Sequence, residues 1–131
     1  STMEIEAPLS IGEVIDKITI LEIKLIKVKD ENKLKFVKSE KSLLEEKLSN
    51  LNIYDNQELL RLKNKLFKIN SKLWEIEDKI RIFEKEKTFD DDFVALARSV
   101  YITNDKRFEV KNEINLLFNT SLREIKDYQE Y

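Results

Sequence analysis

Asn104, Arg107 and Lys111 follow one another at steps of three and four residues, inside a segment whose neighbours at that spacing are apolar. On a helix this spacing puts all three on one face. An amide, an arginine fork and a lysine ammonium side by side offer donors and positive charge to a carboxylate or a phosphate. Acidic residues interrupt two other apolar stripes in the same way. Glu22 falls among Ile15, Ile18, Leu25 and Ile26; Glu77 falls among Leu73, Trp74 and Ile80, with Arg81 one turn on. Tyr101 stands at the edge of the group. The candidate ligand-binding residues are therefore Glu22, Glu77, Arg81, Tyr101, Asn104, Arg107 and Lys111. Two carboxylates then face three cations, and the surplus positive charge suits a small anionic ligand. The plainer reading is a buried ion-pair layer in which the same groups, with Asn70, fix the alignment of helices.

Composition removes most other chemistry. The chain of 131 residues contains no cysteine and no histidine, so thiolate nucleophiles, disulfides, a Ser-His-Asp arrangement and zinc sites of the usual kind are excluded. A single glycine, Gly12, excludes a glycine-rich phosphate loop or a dinucleotide fingerprint. Acid–base chemistry is left to Asp, Glu, Lys and Tyr. The sequence leaves catalytic residues open, and no cofactor or metal is expected. Adjacent helical side chains diverge, which makes Asp90, Asp91 and Asp92 a helix start and not a metal site. The net charge of −2, with 24 basic and 26 acidic residues interspersed, lacks the basic excess of a nucleic-acid-binding surface. The most apolar run, residues 11–28, carries Glu13, Asp16, Lys17, Glu22, Lys24 and Lys27, and so is neither a membrane span nor a signal peptide. Met3 reads as the natural start and the cytoplasm as the location; Asn119-Thr120-Ser121 reads as a chance glycosylation tripeptide.

Long helices must position these groups. One proline, one glycine and 38% charged residues point to them. Pro8 precedes a start signal in which Ser10 caps, Glu13 completes a capping box, and Leu9 and Val14 staple. The spacing predicts a first helix over 10–50, with a kink at Lys27-Val28-Lys29-Asp30-Glu31-Asn32-Lys33, and a loop rich in Asn and Asp. A second helix, over 56–86, carries the seam Leu59, Leu62, Leu66, Ile69, Leu73, Ile76, Ile80, Phe83. Leu60, Phe67 and Trp74 widen that seam on one side. Thr88 and Asp91 are expected to cap a third helix over 90–118, and a short fourth follows over 121–129. This third helix crosses Tyr101, Ile102, Thr103, Asn104 and Asp105, poor helix formers that together cost about 2–3 kcal/mol relative to alanine. The expected fold is all-α: one domain of long antiparallel helices in a three-helix bundle, four with the short tail, and coiled-coil-like packing.

Three blocks carry a family resemblance: SIGEVIDKITILEIK, LWEIEDKIR and FVALARSVYITNDKRFEVKNEIN. They resemble a family of short bacterial and phage proteins known as a domain of unknown function. The resemblance implies a compact helical protein and carries over no catalytic role. The first helix is also faintly similar to that of the all-helical chorismate mutases, but lacks the arginine such a helix needs. Glu75 and Asp78 give one E-x-x-D spacing, as in helical nucleotide pyrophosphohydrolases, without its acidic partner motif. The leading expectation is a non-enzymatic helical interaction module that forms a homo-oligomer, a dimer, or binds a helical partner. Its seam and second apolar row exceed what a three-helix monomer covers. The alternative is a protein, or an enzyme, acting on a small anionic metabolite through the Glu/Arg/Asn/Lys cluster.

Overall fold

The computed structural model describes residues 3–118 and is all-α over that range, with no strand among the described residues. Four helices follow one another: α1 (Ile11–Lys27), α2 (Glu31–Ser49), α3 (Gln57–Glu86) and α4 (Asp91–Phe118). The expected short helix over 121–129 and the tripeptide at 119–121 lie outside the described residues. Ser10 caps α1 as predicted, its Oγ accepting from Glu13 N at 3.1 Å.

The single helix expected over 10–50 is two helices. Val28 is extended, at φ −82° and ψ 136°, and the Asp30 carboxylate accepts from Asn32 N and Lys33 N to start α2. The sequence KVKDENK thus breaks the helix instead of kinking it, because a good N-cap residue satisfies the freed donors of a new first turn. Asn56 starts α3 in the same manner, accepting from Leu59 N at 3.0 Å. At the far end, Lys87 adopts the left-handed conformation, and Thr88 N donates to Phe83 O at 3.0 Å, closing a Schellman turn. The cap of α4 is Asp90, whose Oδ1 accepts from Phe93 N at 3.0 Å, and not Thr88. Thr88 is already committed to the end of α3.

Helix α1 is the hub. It packs against α2, α3 and α4, while α3 and α4 form a long hairpin. Gly12 against Asn115 and Asp16 against Arg107 make α1 and α4 antiparallel. The buried face of α1 is wide enough for this: Gly12, Ile15, Asp16, Ile18, Thr19, Leu21 and Ile23 are all buried. Ile15, Ile18, Leu48, Ile53, Leu59, Leu62, Leu66, Val110 and Ile114 form the core. It therefore sits at the end where α1 begins, α2 ends, α3 begins and α4 ends.

The lengths do not match. At 1.5 Å per residue α1 is about 25 Å long and α3 about 45 Å. Burial follows this mismatch. Along the predicted seam of α3, Leu59, Leu62, Leu66, Leu73 and Ile76 are buried, whereas Ile80 and Phe83 are only half-buried. No residue from 77 to 102 is buried. Edge-on contacts of Phe93 with Phe83 and Phe89, with ring centroids at 6.1 and 5.1 Å, close the hairpin end. No described helix is long and apolar enough to cross a membrane.

Candidate functional site

Among the described residues one carboxylate is enclosed, and it is Asp16, a residue outside the predicted set. It is 1% exposed. Arg107 Nε donates to its Oδ1 at 2.9 Å and Arg107 Nη2 to its Oδ2 at 2.5 Å, a two-pronged fork. From α3, Asn70 Nδ2 donates to the same Oδ1 at 2.9 Å and to Thr19 Oγ1 at 2.9 Å. Thr19 Oγ1 in turn donates to the Asp16 carbonyl at 2.7 Å. Lys111 Nζ lies 4.0 Å from Oδ2 and pairs with Glu13 at 2.7 Å. Burial raises the Asp16 pKa, but the hydrogen bonds of Arg107 and Asn70 and the charges of Arg107 and Lys111 outweigh it, so the carboxyl sits below its ordinary value. Asp16 is held as the anion.

The neighbourhood is built to bring α1 and α4 together. Gly12 lies so close to α4 that a Cβ there would stand 2.3 Å from the Lys111 carbonyl oxygen and 2.8 Å from Asn115 Oδ1. Asn115 Oδ1 accepts from Gly12 N at 2.7 Å, satisfying a donor that the first turn of α1 leaves free. The only glycine of the chain is thus a helix-contact residue.

The predicted residues divide. Arg107 and Lys111 belong to this cluster, with Asn70 as the register residue beside them. Glu77 and Asn104 do not join it; they line a neighbouring cleft of about 290 Å³ with Trp74, Leu73, Ile20 and Ile23, of which Arg107 forms one wall. Glu22 lies on another side of the bundle and pairs with Lys63 at 3.3 Å. Arg81 and Tyr101 are exposed, Arg81 lying 3.7 Å from Asp78 on its own helix. The surplus cation does not form. Arg107 is matched by Asp16 and Lys111 by Glu13, so the charges of the cluster balance. Among the described residues no group of three or more His, Cys, Asp or Glu is placed to hold a metal ion.

The inward face of α4 is not the one that Asn104, Arg107 and Lys111 share at their spacing. Its inward positions are Phe93, Leu96, Val100, Thr103, Arg107, Val110, Ile114 and Leu117, alternating three and four without a lapse. A straight wheel drifts by about 20° per heptad from such a seam. Centred on Val100, the wheel therefore favours Asn104, which is exposed, over Thr103 and Val110, which are buried.

The residues of this cluster come from α1, α3 and α4, and the sequence blocks noted above supply most of them: Gly12, Asp16 and Thr19 from the first, Arg107, Lys111 and Asn115 from the last. The chain belongs to DUF6165, a family of unknown function. The family model matches residues 3–130. No curated protein and no solved structure matches the chain. For this DUF6165 protein the cluster is an ion-pair layer whose carboxylate is enclosed while its arginine also borders the neighbouring cleft. Its carboxylate, its fork and its amide bond one another, and each of the three helices contributes a side chain to them.

Proposed function

We propose that this DUF6165 protein is a helical self-association module, in which the α3–α4 hairpin end packs against a second copy. One observation carries the reading: residues 77–102 form two paired helices in which nothing is buried. A helix hairpin holds its shape by burying an apolar stripe, and α1 supplies that cover only at the other end. Ile80, Phe83, Phe93, Leu96 and Val100 are half-buried, and Ile82, Val94, Tyr101 and Ile102 are exposed around them. Two hairpin ends brought together make four helices around one apolar centre, the geometry of a helix bundle. The closed charge balance at Asp16 points the same way, since it leaves the layer to hold the base of the hairpin in register.

Sedimentation equilibrium from micromolar concentration to about 1 mM tests it, a range that reaches self-association worth only about 4 kcal/mol. A concentration-dependent dimer is expected. A strict monomer throughout that range would overturn the proposal.

A further inference from the structure

Besides its inward seam, α4 carries a second row at the same alternation of three and four: Val94, Ala97, Tyr101, Asn104 and Phe108. All five are exposed, and Val94, Tyr101 and Phe108 are each more than half exposed. Bulky apolar residues repeated every seven positions over three turns or more are the pattern of a helix–helix seam. The row runs over the part of α4 that begins at the hairpin end and stops where Lys111 turns to Glu13 of α1. A single polar residue within such a row, here Asn104, is the usual device for fixing register between two helices.

Beside the row stand Arg98 and Asp105, both exposed and, among the described residues, in no ion pair. They occupy equivalent positions seven residues apart, each following a row residue directly. These flanking charges decide the orientation. An antiparallel mate centred on Tyr101 sets Val94 opposite Phe108 of the second copy. It also brings Arg98 to the level of the second copy's Asp105, within one residue of register. By symmetry the match is made twice. A parallel mate leaves Arg98 and Asp105 at different levels and offers no match.

Resting on the self-association reading above, we propose that α4 pairs antiparallel with α4 of a second copy, on a two-fold axis at Tyr101. Val94 and Phe108 pack across the axis, and Arg98 and Asp105 pair at the flanks.

The chain has no cysteine, which makes the test clean. A residue on a two-fold axis meets its own copy. Tyr101→Cys should therefore form a disulfide-linked dimer under mild oxidation, far faster than Leu43→Cys on the exposed face of α2. Separately, Arg98→Asp and Asp105→Arg should each weaken the dimer by about tenfold in sedimentation equilibrium, because each sets like charges opposite one another twice. The double variant Arg98→Asp with Asp105→Arg should recover the parent affinity. These residues are exposed, so the variants keep the monomer fold. If the protein dimerises but Tyr101→Cys cross-links no faster than Leu43→Cys, or the double variant stays as weak as the single ones, this interface is wrong and self-association stands. If no dimer forms at any concentration, both fail.

Discussion

At Asp16 a carboxylate survives full burial because donors from two other helices converge on it, and the two partners of that ion pair are unequally placed. Asp16 is 1% exposed, whereas the Arg107 side chain keeps 29% of its surface in water. Removing the cation therefore strands a buried charge, while removing the anion leaves a guanidinium that can turn outward. Arg107→Met should cost about 3–5 kcal/mol in urea unfolding at neutral pH, and Asp16→Asn less, about 1–3 kcal/mol. Replacing both, as Asp16→Leu with Arg107→Met, should recover most of the larger loss. Acid separates the cases further. The Asp16 pKa is lowered in the folded parent, so its contribution is present at neutral pH and fades as pH falls through that lowered value. In Arg107→Met burial pushes the same carboxyl upward, and that variant gains relative stability on acidification. The gap between parent and variant should be widest at neutral pH and narrow steadily towards about pH 3. Equal gaps at both ends would mean that Asp16 is not held as an anion. Arg107 and Lys111 were legible in the sequence as cations on an inward face. Asp16 was not, because it is one of six charged residues in an apolar run and pairs with a residue 91 positions away. The available signal was local: Gly12, Asp16 and Thr19, small or short side chains at steps of four and three, mark a face that something approaches closely.

The helices themselves were largely legible, since capping chemistry and three-to-four spacing are local properties. Ser10 caps where the spacing put it, and of the α3 seam Leu59, Leu62, Leu66, Leu73 and Ile76 are buried while Ile69, Ile80 and Phe83 are only half-buried. What local spacing underdetermined was whether KVKDENK bends or breaks a helix, and which neighbour each face meets. Two substitutions probe the elements. Gly12→Ala gains helix propensity, at most about 1 kcal/mol, but drives a methyl into the backbone of α4, where the nearest atom is a carbonyl oxygen and cannot rotate away. A net loss of about 1–2 kcal/mol is expected in thermal unfolding, together with loss of the Asn115 hydrogen bond. A neutral Gly12→Ala would mean that α1 does not approach α4 this closely. At the other boundary, Lys87 holds φ 55° and ψ 36° to end α3. Glycine adopts that conformation without the Cβ clash, so Lys87→Gly should stabilise by about 0.5–1 kcal/mol, whereas Lys85→Gly in the last turn should destabilise by a similar amount.

Over the whole molecule, stability is graded along the long axis. Every buried residue of α3 lies at or before Ile76, and every buried residue of α4 at or after Thr103. The Asp16 layer lies near that boundary, with Asn70 and Arg107 between the core and the hairpin end. Local opening follows buried apolar contact, and a hairpin end without any should open far below the free energy of global unfolding. Native-state hydrogen exchange at micromolar concentration should then show two classes. Amides of Leu62, Leu66, Val110 and Ile114 should exchange only through global unfolding, and those of Arg81, Ile82, Val94 and Ala97 through a cheaper local event. Arg107→Met should move the boundary towards the core, because the layer no longer ties α4 to α1. Raising the concentration should slow exchange in both classes, since local opening of the interface and global unfolding alike must break the dimer. Uniform protection along α3 and α4 at micromolar concentration would show that the hairpin end needs no partner, and the graded picture would fall with it.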